Sequence, residues 1–477
     1  MTAMRRGWLH LATGAGVGRF LGFVSNLLLS RWLGPTELGL FNLVTVTVQT
    51  SETLVRCGGD YALNFELGGE PDAIQTERGA DLSRGFAQLC SLMTALIVVV
   101  VAIWVLFGQG LLPGTIVSSE RLICCILLLL MIACEGSSAS AWEVLLVSHR
   151  TAPLALRQGL FLPMRILFAA VGALFAGVIG AMSGWSLIAI FQSLWLRAVL
   201  GKLWNPVHIW PFLAKSVRKL LGRGISFYAA NLLASIIFYP LLLKVANDSG
   251  LAEVGYLRVG QILQQLFAFL PATLVPVLFL KLRRESTLSE QILIIERPLR
   301  VIWLLLLEAL LLYCMLDNSL IPWLFGAGFS SALLPTRILL MTALFECLAQ
   351  LVVQPLLAAG QTRTYGLWQN GSAVIAAVLG WLWIPISGLP AYLIVRLIYV
   401  VIPLVGFGIP VFKRLCEPMK FLPLILLTIG LMALFLIQVF VQNINMPTTI
   451  FFMIAFPVIL TLQRQDIVLL KHALWKG

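Results

Sequence analysis

The stretch LLLSRWLGPTELGLFNLV, which begins at Leu27, returns as LLLKVANDSGLAEVGYLRVG at Leu241. Glu37 and Gly39 fall on Glu253 and Gly255, 216 residues later. LFGQG at 106–110 recurs as LFGAG at 324–328. At an offset of 211, Glu135 falls on Glu346, Glu143 on Gln354 and Gln158 on Gln369. The offsets drift by a few residues and keep their order, so the chain reads as two copies of one unit. Each copy is a series of apolar runs long enough to cross a bilayer, which takes about 20 residues.

The composition agrees. Hydrophobic residues make up 60% of the 477 and charged residues 11%, against about 25% charged in soluble domains. So little charge cannot cover a soluble surface. A soluble enzyme, a secreted disulfide scaffold and a nucleic-acid-binding domain are set aside. The eight Cys fall mostly inside apolar runs without a C-x-x-C pair, and the four His are scattered. They read as small apolar side chains and isolated groups, not as metal ligands or disulfides. Neither a metal nor another cofactor is expected. Met1–Leu33 reads as a first span, because its apolar part is too long for a leader and no cleavage site closes it.

Apolar periodicity predicts fourteen helical spans, at roughly 8–31, 38–62, 86–107, 120–147, 159–180, 183–200, 224–245, 254–280, 299–316, 336–358, 367–385, 389–411, 421–441 and 448–463. The organisation expected is all-α and polytopic: a six-helix lobe over 1–200, a basic linker over 201–223, and a second six-helix lobe over 224–411. Two additional helices and a short tail occupy 412–477. With the N-terminus in the cytoplasm, 23 of the 33 Lys and Arg fall on cytoplasmic segments, most densely at 201–223 and 281–300. That asymmetry places both termini inside. The net charge of +12 is therefore a topology signal and not a nucleic-acid footprint. Halves with an even number of spans insert in the same orientation, and in transporters built this way the substrate site lies between the repeats.

Residues Gly18–Val44, GRFLGFVSNLLLSRWLGPTELGLFNLV, resemble the opening of the bacterial polysaccharide-biosynthesis (O-antigen type) flippase family, part of the multidrug/oligosaccharidyl-lipid/polysaccharide exporter (MOP) superfamily. LGP-x-E-x-G-L-F at Leu33–Phe41, the LFG-x-G before the tenth span and AAGQTR at Ala358–Arg363 carry the same resemblance. It implies a non-enzymatic transporter in the cytoplasmic (inner) membrane. Its cargo would be a polyprenyl-diphosphate-linked oligosaccharide for surface polysaccharide such as lipopolysaccharide, flipped by alternating access. Membrane lipids and a neighbouring polysaccharide polymerase are the partners so implied. Lipid II flippases open similarly, with Arg and Gly-Phe as in Arg19, Gly22 and Phe23. They then carry Arg-Asp where this chain has Ser25 and Asn26. A lipid II flippase and a cation-coupled drug exporter remain the alternatives. A membrane glycosyltransferase or polymerase fits less well: the chain has no D-x-D or D-D, and no P-loop.

Charges inside spans cost about 2.5–3.5 kcal/mol each on insertion scales, and normally face a water-filled cavity or a partner. Gly14, Gly18 and Gly22 form a close-packing stripe, with Arg19 and Asn26 beside it. Gln49, Glu52, Arg56 and Asp60 share one face of the second span. Arg258, Gln261 and Gln265 share a face of the eighth, with Gln264 to one side. The substrate cavity is expected to use Arg19, Asn26, Gln49, Arg56, Arg165, Arg258, Gln261, Gln265 and Arg396. The arginines suit an anionic headgroup, because the guanidinium fork donates two hydrogen bonds at once. Glu52, Asp60, Glu135 and Glu346 are the candidates for carrying a proton, since burial disfavours a charged carboxylate.

Overall fold

The computed structural model describes residues 2–67, 76–107, 118–148, 150–201, 218–269 and 287–415, with short pieces between 274 and 282 and between 421 and 433. All regular structure in them is helical. In chain order the helices are α1 (Thr2–Arg56), α2 (Gly59–Leu67), α3 (Glu77–Phe107), α4 (Ser118–Val147), α5 (Thr151–Leu156), α6 (Leu162–Leu200), α7 (Arg218–Ser249), α8 (Leu251–Phe267), α9 (Leu288–Phe325), α10 (Leu333–Ala358) and α11 (Thr362–Phe412). They account for the first twelve expected spans, the eighth as far as Phe267, with most of 270–280 outside the described residues. Residues 424–430 begin the thirteenth, which Trp303 holds by donating its indole N–H to Thr428 Oγ1 at 3.0 Å. The fourteenth span, the tail and most of the basic linker lie outside the described residues.

Several helices carry two spans. Among the described residues, seven helices are long and apolar enough to cross a membrane, two of them at Ala152–Leu200 and Arg363–Phe412, 49 and 50 residues long. At 1.5 Å per residue each is more than twice the hydrocarbon thickness of about 30 Å. Each is broken where a helix hairpin needs it. Gly177 has φ 53° and ψ −138°, and Gly388 has φ 58° and ψ −131°. These left-handed values suit glycine, which has no Cβ to clash. The two breaks are 211 residues apart, the offset that relates Glu135 to Glu346. Beside them Phe175 is 85% exposed and Ile386 79%. Bulky apolar groups so exposed are at home in lipid, and the chain is a multi-pass membrane protein.

α1 is likewise two spans, parted at Gly34 (φ 68°), with Pro35 opening the second. Proline at a first helical position costs nothing, because its missing N–H would be unpaired there anyway. The second span ends earlier than the sequence pattern suggests. Cys57 (φ 47°) and Gly58 (φ 71°) break the helix before α2. Elsewhere helix extends into two expected connections. α9 runs from 288, where Thr287 and Glu290 form a capping box, through to Phe325. Residues 288–298 and 317–325 of the expected connections are therefore helical. Apolar patterning missed this because the added turns carry charges that hydropathy reads as loop.

The chain divides into two compact units, Met1–Arg258 and Val259–Gly477. In the first, α1 packs on α6, α4 and α5, and α7 packs on α1 and α2. The contacts along α1 come down to bare backbone. A Cβ on Gly18 would lie 1.9 Å from the Gln158 carbonyl oxygen, and one on Gly14 2.8 Å from that of Ala155. Gly22, the third of the stripe, is looser, with Ile166 Cδ1 at 3.8 Å. Further along, a Cβ on Gly39 would sit 1.9 Å from the Leu251 oxygen, and one on Gly255 2.0 Å from the Pro35 oxygen. Pro35 and Leu251, like Gly39 and Gly255, are 216 apart, so the two repeats meet through the same pair of positions. In the second unit, α10 packs against α9 and α11.

Gly255→Ala would force those backbones apart, at the roughly 1–3 kcal/mol typical of overpacking. Among the described residues Gly366 and Gly371 have nothing within 4 Å of an added Cβ, so alanine there should hold or raise stability by up to about 1 kcal/mol through helix propensity. Thermal unfolding of the purified variants in detergent reads both effects, and an unchanged midpoint in Gly255→Ala would contradict the close approach.

Candidate functional site

Three arrangements of charge stand out among the described residues of the first unit. The first centres on Arg56, at the end of α1. Its Nη2 meets Glu52 Oε1 at 2.5 Å, and its Nη1 meets Glu143 Oε1 at 3.1 Å and Asp60 Oδ2 at 3.8 Å. Helical spacing foretold the Glu52 pair. Asp60 stays within reach despite the break at Cys57–Gly58. Glu143, from α4, is a tertiary partner that spacing within one helix does not show. Arg56 is thus amply neutralised by three carboxylates.

The second is buried deeper. Arg165, from the first half of α6, forms an ion pair with Glu135 of α4 and donates a hydrogen bond to Gln192 in the second half of α6. Arg165, Glu135 and Gln192 are each less than 5% exposed. Two expected roles, Arg165 toward substrate and Glu135 toward a proton, here fall on two residues that are each other's partner.

The third joins the repeats. Arg258 of α8 donates from Nη2 to Asn26 Oδ1 at 3.3 Å, and the Asn26 amide donates to the Gly22 carbonyl at 2.8 Å. Nearby, Asn42 donates to the Val254 carbonyl at 3.4 Å. Arg258 is 6% exposed, and its Nε has no hydrogen-bond partner among the described residues. No carboxylate reaches it at ion-pair distance there. Arg19 lies half-buried on the same helix as Asn26, seven residues earlier.

The expected glutamines divide. Gln49 and Gln265 are exposed and Gln261 is half-buried. Gln264, set to one side by the sequence pattern, is the buried one: in the second unit its amide donates to Glu346 Oε2 at 3.0 Å. Glu346 therefore has a neutral partner where its repeat mate Glu135 has an arginine, because the position 211 after Arg165 is Ala376. Arg396 is half-buried and hydrogen-bonded to Tyr392, and Gln369 hydrogen-bonds the Tyr399 hydroxyl.

Two features escaped the sequence reading. Arg337 on α10 binds Asp317 on α9 through both Nε and Nη2, and Asp317 is fully buried. The available signal was a lone acid and a lone base flanking LFGAG. Arg157, which falls between the fourth and fifth expected spans, is only 8% exposed. Its guanidinium lies over the Trp142 ring, 4.6 Å from the centroid. Among the described residues no group of His, Cys, Asp and Glu is clustered to hold a metal ion.

No family model matches the sequence, and no curated protein matches it. Solved structures do match in fold. One is the lipid II flippase MurJ in an inward closed conformation, with 13% identity, TM-score 0.70, and coverage of 97% of this chain and 99% of that one. Another is a MOP superfamily transporter from Pyrococcus furiosus, described by a reversed polarity of its binding pocket, with 13% identity, TM-score 0.58, and coverage of 86% and 96%. A third is a multidrug resistance MATE family transporter in an inward-facing conformation, with 12% identity, TM-score 0.59, and coverage of 82% and 95%. The chain has the all-α, polytopic fold of the MOP superfamily transporters.

Removing one member of a buried ion pair leaves the other uncompensated, at about 3–5 kcal/mol. Arg165→Ala should therefore lower thermal stability far more than Gln49→Ala, whose side chain is exposed. Equal unfolding midpoints for the two variants would show that the Arg165–Glu135 pair is not held in the folded protein.

Proposed function

We propose that the protein is a flippase. It carries a polyprenyl-diphosphate-linked oligosaccharide across the cytoplasmic membrane by alternating access, for assembly of a surface polysaccharide. The observation that carries this reading is Arg258. A guanidinium this deeply buried is costly unless it is paired, and among the described residues Arg258 has a neutral asparagine and no carboxylate at ion-pair distance. Such a site favours an anionic headgroup and disfavours a cationic drug. The diphosphate of a lipid carrier supplies that anion, with Arg19 and Asn26 on the same helix as neighbours. Arg56 serves in exchange, releasing its carboxylates as the headgroup passes. Exposed Gln49 and Gln265 and half-buried Gln261 offer hydrogen bonds to sugar hydroxyls. The fold shared with a lipid II flippase over nearly the whole chain supports lipid-linked cargo in general. It also keeps lipid II itself as a second reading, against which stands Asn26 in place of an acid.

Proton coupling in this reading falls on Glu346, whose partner is a neutral glutamine. Glu135 is held by Arg165 and serves structure. Both termini face the cytoplasm, and a polysaccharide polymerase acts beside the flippase.

A strain lacking the protein should lose its surface polymer and trap the completed lipid-linked oligosaccharide in the cytoplasmic leaflet. An intermediate never completed would mean an enzyme. An intact polymer with a cell-wall defect would mean lipid II, and neither defect would mean a small-molecule exporter. Complementation with Arg258→Ala, Arg19→Ala or Arg56→Ala should restore the polymer poorly at normal membrane levels of protein. Full restoration by all three would remove the cavity assignment. Glu346→Gln should abolish dependence of transport on the pH gradient, and retention of that dependence would make Glu346 structural.

A further inference from the structure

Arg157 sits on a single π-helical turn, Arg157–Phe161, between α5 and α6. The widened turn has a local cause. Pro163 has no N–H to give the Gly159 carbonyl, and its ring crowds that carbonyl. The Leu162 N–H instead reaches back to the Arg157 carbonyl. Turns of this kind inside helices are frequent at functional sites. Arg157 is 8% exposed, and among the described residues its Nε has no hydrogen-bond partner and no acid lies at ion-pair distance. Its one contact of note is the face of Trp142. Glu52, Glu135, Arg56 and Arg165 are near enough to act on it through space, two acids against two bases. Guanidinium carries five N–H donors in a plane. The indole face beneath the guanidinium carbon offers those donors no acceptor oxygen.

Arg157 is also well separated from Arg258. Gly14 abuts Ala155 and Gly18 abuts Gln158, so Arg157 is level with residues 14–18 of α1. Arg258 meets the same helix at Asn26. Eight to twelve residues of helix separate the two levels, roughly 12–18 Å at 1.5 Å per residue.

We propose that Arg157, backed by Trp142, is a second oxyanion-binding site of the first unit. It receives a phosphate or carboxylate group of the transported headgroup at a different depth from Arg258. The Trp142 ring fixes the guanidinium plane, and its in-plane donors take the oxyanion's oxygens. The π-helical turn supplies the freedom, since its conversion to regular helix turns Arg157 about the helix axis. A headgroup with two anionic positions, or one moving in two stages, then meets a guanidinium at each level. The transport reading enters only in naming the source of the oxyanion.

The test is anion binding by the purified full-length chain in nanodiscs of zwitterionic lipid, with inorganic pyrophosphate and glucuronate as probes and chloride at matched ionic strength as control. Saturable stabilisation of the wild type by a few degrees is expected for at least one probe. Pyrophosphate would mark the lipid diphosphate and glucuronate an acidic sugar. Arg157→Gln should weaken that response at least tenfold. Arg157→Lys, which keeps the charge and loses the planar fork, should weaken it less, and it serves as the folded variant if Arg157→Gln does not fold. Trp142→Phe should give an intermediate loss. Wild-type affinity in both Arg157 variants, or no response to either probe in the wild type, overturns the proposal. Loss of binding in Arg258→Gln with none in Arg157→Gln places the anion at Arg258 alone. That outcome sinks this site and leaves the flippase reading standing.

Discussion

A guanidinium cannot shed its charge at any ordinary pH, so an arginine buried in a membrane protein must be answered by something. The interior of this chain is arranged around that requirement. Arg56 is answered by Glu52, Glu143 and Asp60, Arg165 by Glu135 and Gln192, and Arg337 by Asp317. These pairs bind α1 to α4, α4 to α6, and α9 to α10, across helices whose lipid-facing sides offer no glue. Packing against lipid gives helices no strong reason to associate, so polar ties and close backbone contact do that work.

The close contacts come from glycine. At Gly18, Gly39 and Gly255 there is no room for even one carbon. Backbones at that distance gain dispersion along their length and fix helix register to within a fraction of a turn. The register then decides which polar side chains face one another. Gly39 and Gly255 do this reciprocally, each against the residue that is the other's neighbour by repeat. The duplication is therefore a working contact in the folded chain as well as a trace in the sequence.

Duplication also shows where the two copies have parted. Glu135 and Glu346 stand at equivalent positions, yet one is locked to an arginine and the other rests on a glutamine. The difference follows from Ala376 standing where the first copy has Arg165. An ion pair ties the Glu135 carboxylate to an opposite charge, whereas the Glu346 carboxylate accepts its hydrogen bond from a neutral amide. The same contrast separates the answered arginines from Arg157 and Arg258.

Much of this was legible from residues alone. Apolar length gave the membrane class, the recurrence of Glu37 with Gly39 gave the duplication, and four-residue spacing gave the Glu52–Arg56 pair. Those are properties of composition and of one helix at a time. The identity of the remaining partners was not legible, because Glu143 is 87 residues from Arg56, and Glu135 is 30 from Arg165, on other helices. Periodicity places a residue on a face and says nothing about which helix that face meets. So Arg157 read as a loop charge and Gln264 as off the polar stripe. Only the packing of helices through their glycines decided that one is buried on an indole and the other holds a carboxylate.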